Sequence, residues 1–170
     1  MKKLKELLNN QQTTNILFIF TAIVYALVLC RGLLFKYIKI SELFSPDRFE
    51  YIGYNLIPFN GSGFDFRLDL ILNTFMFIPF GFMIAMKSKK SLRSFSLLLI
   101  PFAASIIFES LQYILHLGAA DITDVIMNTS GSIIGFVIYF IINKIFSNKT
   151  DKFFTFVMSA VAIFALFLLY

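Results

Sequence analysis

The chain has 170 residues, of which 58% are hydrophobic and only 15% are charged, and its mean hydropathy is +0.80. An ordinary soluble domain carries roughly 25% charged residues, so this composition excludes a soluble globular enzyme and a disordered tail. It indicates a membrane protein. The one cysteine excludes an intramolecular disulfide framework and a cysteine-based zinc site.

Five segments are long and apolar enough to be transmembrane helices, which need about 20 mostly apolar residues. We therefore predict an all-α fold, a polytopic bundle of about five transmembrane helices in a single membrane domain covering residues 1–170. The predicted spans are 14–34, 70–86, 95–117, 122–146 and 153–170. The second span is the shortest and contains Asn73 and Pro79, so four helices plus a re-entrant segment stay open as an alternative. The first span is longer than a signal-peptide core, and we interpret it as a retained anchor.

The positions of the basic residues predict the orientation of the chain. Ten of the fifteen lie near the three predicted cytoplasmic segments, whereas the long first loop holds five basic and five acidic residues. Positive charge accumulates on the cytoplasmic side of membrane proteins. We therefore predict a multi-pass protein of the cell membrane with its N-terminus inside and its C-terminus outside (N-in/C-out). The lipid bilayer is then the expected partner, and no nucleic acid is expected to bind.

A small set of polar residues interrupts the apolar spans, and an ionisable side chain inside a membrane indicates function. Within each helix these residues recur at i, i+3 or i+4, and i+7, which places them on one face. With the predicted topology they all lie at the outer ends of their helices, so we expect one polar cluster in the outer leaflet. The eight candidate binding residues are Asp69, Asn73, Glu109, Gln112, His116, Asp121, Asp124 and Asn128.

Several of these residues also have a structural interpretation. Asp121 and Asp124 could cap the fourth helix, because aspartate is favoured at helix N-termini. Glu109 could bond internally and hold the bundle together. Gly131 and Gly135 form a GxxxG pair on the fourth helix, which lets a partner helix approach that face closely.

Four ordered blocks of the sequence form a pattern: NLIPF at 55–59, NTFMFIPFGF at 73–82, ESLQ at 109–112 and DITDVIMNTSGSIIG at 121–135. In this order they resemble the VanZ-like family of small membrane proteins, and the resemblance covers about residues 54–142. The resemblance implies a link to low-level resistance to the glycopeptide teicoplanin, without an established biochemical activity for most members. It also implies that six recurring polar positions matter here, namely Asn73, Glu109, Gln112, Asp121, Asp124 and Asn128.

This chain departs from the VanZ-like pattern in one turn. Many members carry an arginine just before the first aspartate, whereas the turn at 116–121, HLGAAD, has none. A site that uses a cation to bind an anionic lipid headgroup would need Arg67 or His116 in its place.

The sequence leaves four functions open. The first is a cell-envelope protein that binds or modifies a lipid-linked precursor or another cell-wall component at the outer face. A paired Glu and Asp could act there as general acid and base, but no nucleophile is evident. The second is metal binding through Glu109, His116 and the aspartates, although the spacing fits no metal signature, and we expect no metal and no cofactor. Transport is disfavoured because no repeat is visible, and an accessory subunit whose polar cluster only holds the bundle together is the structural alternative.

Overall fold

The computed structural model describes residues 11–36, 53–88, 95–146 and 149–168. Within these residues the chain forms five helices and two short strands. In chain order they are α1 (Gln11–Leu34), β1 (Gly53–Asn55), α2 (Gly63–Ser88), α3 (Phe95–Ile114), β2 (Ala119–Asp121), α4 (Ile122–Phe146) and α5 (Lys149–Leu168). The chain divides into two compact units. One contains the described residues up to Leu29 and from Ile142 onward, and the other is Cys30–Ile141.

Four of the described helices, α1 to α4, are long and apolar enough to cross a membrane. Their outer faces carry exposed aliphatic and aromatic side chains, such as Ile19, Phe75 and Ile141. Contiguous apolar surface of this kind needs lipid around it. The predicted fourth span coincides with α4, and α2 runs as one helix through Pro79.

The predicted fifth span, 153–170, falls on α5 and ends in residues that lie outside the described part of the chain. In the unit that contains α5, Thr21 Oγ1 of α1 lies 2.8 Å from Ser159 Oγ of α5. Each hydroxyl is also within hydrogen-bond distance of the carbonyl four residues earlier in its own helix, where such groups are satisfied locally. The count of about five spans and the N-in/C-out orientation stay predictions.

The second unit contains a close contact between α2 and α4. A Cβ added at Gly131 or at Gly135 would overlap a backbone carbonyl oxygen of α2. A Cβ added at Gly81 of α2 would overlap the backbone of α4 at Ser132. Backbones approach this closely only where both helices present small residues. The expected role of the GxxxG pair is confirmed: its partner helix is α2, which contributes a glycine of its own.

Two three-residue strands, one before α2 and one before α4, form a parallel pair that the sequence did not predict. The register pairs Gly53 with Ala119, Tyr54 with Ala120 and Asn55 with Asp121. Parallel strands need a long connection, which α2 and α3 supply. The pair holds the loop that precedes α2 against the start of α4.

Candidate functional site

The start of α4 is fixed by side chains of both α3 and the residue before the helix. Asp121 occupies the N-cap position, and its Oδ1 accepts a hydrogen bond from the backbone N–H of Thr123 at 2.7 Å. Glu109 of α3 accepts the backbone N–H of Asp121 through Oε2 at 2.8 Å. Two donors near the helix start, where N–H groups lack helical partners, are thereby paired. The capping interpretation is confirmed for Asp121.

Asn55 at the end of β1 links the loop before α2 to the same helix start. Its Nδ2 donates to Asp121 Oδ2 at 3.1 Å. Its Oδ1 accepts the backbone N–H of Ile57 at 3.2 Å, which begins a turn. Asn55 was missed as a site residue, although a proline three residues later in the NLIPF block indicates an ordered turn.

That turn presents a backbone donor to α4. The backbone N–H of Asn60 donates to the carbonyl of Ile57 at 3.3 Å, with Pro58 second in the turn and Phe59 third. Phe59 has a φ of 57°, the left-handed conformation that a type II turn requires at this position and that glycine usually supplies. Its N–H donates to Thr123 Oγ1 at 3.0 Å, and Thr123 is fully buried. The hydrogen bond compensates part of the strain.

Lys36, just after α1, is the cation that joins two of the candidate carboxylates. Its Nζ lies 3.2 Å from Asp69 Oδ2 and 3.4 Å from Asp124 Oδ2. The lysine and Asp124 side chains are 14% and 11% exposed, so this interaction is poorly screened by water. Arg67, by contrast, is exposed. Lys36 was not among the candidates from the sequence, because a single lysine outside a helix has no spacing that marks it.

The three candidate amides are buried between helices. Gln112 donates through Nε2 to the carbonyl of Leu33 in α1 at 2.8 Å, and Asn128 donates through Nδ2 to Ser105 Oγ in α3 at 2.8 Å. Asn73 is 2% exposed. In the part of the chain that the structure describes, Asn73 Nδ2, Gln112 Oε1 and Asn128 Oδ1 have no hydrogen-bond partner. Gln112 and Asn128 therefore link neighbouring helices, and all three amides are buried.

His116 does not share a helix face with Glu109, and this part of the prediction is wrong. The α3 helix ends at Ile114, and His116 has a φ of 55°. The N–H of Leu117 donates to the Gln112 carbonyl at 2.9 Å, and the N–H of His116 donates to the Tyr113 carbonyl at 3.2 Å. These two bonds form a Schellman motif with histidine where glycine is usual. Because the helix ends before His116, its i+7 spacing from Glu109 does not place it on the same face.

Glu109 and Asp121 line an open pocket of about 370 Å³ between β1, α3, β2 and the start of α4. This volume lies within the range of small-molecule sites, roughly 300–1,000 Å³. The remaining lining residues are mostly apolar or aromatic: Tyr54, Leu56, Ile106, Ser110, Tyr113, Ile114, Ala120, Ile122 and Val125. The eight candidates therefore do not share one pocket. Two line it, two contact Lys36, three are buried amides, and His116 lies in the turn after α3.

Metal binding was one of the hypotheses from the sequence. Among the described residues, no group of three or more His, Cys, Asp or Glu side chains is placed to hold a metal ion. The two ion pairs of Lys36 occupy oxygens of Asp69 and Asp124. The arrangement therefore gives the metal hypothesis no geometric support in this part of the chain.

Four apolar helices with exposed hydrophobic faces and buried polar side chains define a multi-pass membrane protein. The VanZ/LLP1 family matches residues 20–143, and the chain belongs to this family. It is similar to Protein VanZ of Enterococcus faecium, with 35% identity over 134 residues that cover 72% of this chain and 80% of that protein. No solved structure matches the chain. The resemblance based on four sequence blocks is confirmed, and the match begins within α1, upstream of the blocks.

Proposed function

We propose that this VanZ-like membrane protein acts at the cell envelope by binding a lipid-linked or other cell-wall component in the pocket beside Glu109. In this proposal the pocket faces outward and its occupancy contributes to low-level teicoplanin resistance. The observation that carries the proposal is the position of Glu109. Its side chain is 7% exposed, yet it lines an open pocket with mostly apolar walls.

The pocket suits a molecule with an apolar body and a polar group. Apolar side chains such as Leu56, Ile106 and Val125 can cover an alkyl chain, and each buried CH₂ group contributes about 0.8 kcal/mol. Glu109 and Asp121 supply the polar contacts on one wall. A few polar groups in an otherwise apolar concavity are typical of small-molecule sites.

An accessory role, in which the polar residues only hold the bundle together, is the second candidate. The bridge from Lys36 to Asp69 and Asp124 favours it, as does the bond between Asn128 and Ser105. Neither contact reaches the pocket lining. The two functions therefore differ in what they predict for Glu109, whose side chain serves both the helix cap and the pocket.

Replacing Glu109 with glutamine tests this difference. Glutamine keeps the size and an oxygen that can accept the backbone N–H of Asp121, so the cap of α4 is retained. It removes the carboxylate from the pocket. We expect Glu109→Gln to reach the wild-type amount in the membrane and to lose the increase in teicoplanin minimal inhibitory concentration that the wild-type chain confers on a susceptible host.

Asp65→Asn is the matched control, because it makes the same chemical change at an exposed residue in the first turn of α2. This control should keep the wild-type inhibitory concentration. The pocket proposal is wrong if Glu109→Gln keeps it too at equal membrane amount. The resistance part of the proposal is wrong if the wild-type chain confers no increase over an empty vector.

A further inference from the structure

The charge of the pocket wall limits what can enter it. Two carboxylates, those of Glu109 and Asp121, line the pocket, and no lysine, arginine or histidine is among its described lining residues. The nearby cation, Lys36, contacts Asp69 and Asp124 instead. The described lining residues therefore include two acidic groups and no basic one. A phosphate or sulfate would find no basic side chain among these lining residues.

Glu109 has one oxygen that its hydrogen bond leaves unused. Oε2 accepts the N–H of Asp121, whereas Oε1 has no partner among the described residues. The residue is only 7% exposed, and it forms no ion pair in the described part of the chain. A buried carboxylate is costly unless a cation or donor compensates it. An ammonium group that enters the pocket would supply that compensation.

Two tyrosine rings stand at the same pocket. Tyr54 and Tyr113 both line it, with ring centroids 6.5 Å apart and an angle of 71° between the ring planes. Both residues are substantially exposed, at 70% and 44%. Aromatic faces attract ammonium groups through the ring quadrupole, and such attraction recurs in sites that bind quaternary ammonium ligands.

We infer that the pocket takes the ammonium group of a cationic amphiphile, with the charge beside Glu109 and the tyrosine rings and the alkyl chain along the apolar walls. This inference rests on the proposed binding function and specifies its ligand class. The bound part of any envelope component is then its ammonium-bearing part, and a phosphate group stays outside the pocket.

Because the chain contains no tryptophan, a single introduced tryptophan is a direct fluorescence reporter. Tyr113→Trp places the only indole of the protein in the pocket and keeps an aromatic face there. Its fluorescence is followed in the full-length protein, purified in a neutral maltoside detergent, as hexyltrimethylammonium is added. Hexyl phosphate, hexyl glucoside and tetramethylammonium are titrated in parallel. Phe75→Trp, at an exposed position on α2 outside the pocket, is the control: it reports fluorescence changes that the added compounds cause by altering the detergent micelle.

We expect a saturable change with hexyltrimethylammonium in Tyr113→Trp and none in Phe75→Trp. Hexyl phosphate and tetramethylammonium should bind at least about tenfold more weakly, because the first carries a negative instead of a positive charge and the second has no alkyl chain. Adding Glu109→Gln to the reporter should weaken hexyltrimethylammonium at least about tenfold, since the pocket loses its buried carboxylate.

Three results would overturn this inference or the proposal beneath it. If hexyl phosphate or hexyl glucoside binds as tightly as the ammonium compound, the ligand class is wrong while the binding function stands. Unchanged ammonium affinity in the Glu109→Gln background would likewise remove the assigned role of the carboxylate. If none of the four compounds gives a saturable change, the pocket is not a binding site and the proposed function fails with the inference.

Discussion

Replacing Lys36 with methionine should lower the free energy of unfolding by about 3–5 kcal/mol, the largest loss we expect from one substitution in this chain. Methionine keeps much of the length of lysine and removes its charge. Asp69 and Asp124 then lose the cation that lies 3.2 and 3.4 Å from their carboxylate oxygens. The cost falls mainly on Asp124, whose side chain is 11% exposed and would stay buried without its cation, whereas Asp69 is 32% exposed and partly solvated. Unfolding by SDS in mixed micelles measures the loss.

A second substitution shows whether the carboxylates cause this loss. Adding Asp124→Asn to Lys36→Met should restore at least about 1 kcal/mol, because one of the two unpaired charges is gone. Arg67→Met is the matched control at an exposed cation, and it should change stability by no more than about 0.5 kcal/mol. An equal loss in Arg67→Met, or strict additivity of the two changes in the double variant, would contradict the assigned bridge.

Gly135→Ala should cost about 1–3 kcal/mol although it adds only one methyl group. The new Cβ would overlap the carbonyl oxygen of Ile78 and lie 2.8 Å from the backbone nitrogen of Phe82. Both atoms belong to the backbone of α2, so no side chain can rotate away to make room. The helices have to separate, and the packing around the contact is lost. The same mixed-micelle unfolding measurement applies.

Gly53→Ala is the control for the intrinsic effect of adding a methyl group. A Cβ there would lie 3.5 Å from Ala119 Cβ, an ordinary van der Waals distance. Its stability should stay within about 0.5 kcal/mol of wild type. Combining Gly81→Ala with Gly135→Ala should cost less than the sum of the two single changes, because both force the same helices apart. Full additivity, or no loss in Gly135→Ala, would mean that the close contact of α2 and α4 does not support the fold.

The helices were predictable because length and hydropathy determine them locally. The fourth span agrees with α4 at both ends, and the GxxxG pair indicated a face that meets another helix. The strand pair was not predictable in this way. Three residues at Gly53 and three at Ala119 carry no alternation of apolar and polar side chains, and their pairing joins parts of the chain that are far apart in sequence.

The candidate site was predictable in its residue types but not in its contacts. Periodicity placed Glu109 and Gln112 on one face of α3, yet one reaches the start of α4 and the other bonds to α1. A hydropathy pattern cannot tell which neighbour a polar side chain meets. From the sequence, Lys36 only added to the charge of a loop. Its two carboxylate partners lie in other helices, far away along the chain, so no local pattern indicates them. Tertiary contacts decide both cases.

Chemical labelling of a single cysteine tests most directly whether the pocket opens to the outside of the cell. The native Cys30 is first replaced by alanine, which leaves a chain without cysteine. Leu56→Cys then places a thiol at the pocket, and Ser88→Cys places one at the opposite end of α2. With a membrane-impermeant maleimide on intact cells, we expect labelling of Leu56→Cys, and of Ser88→Cys only after permeabilisation. The reverse pattern would contradict an outward-facing site and the envelope function proposed for it.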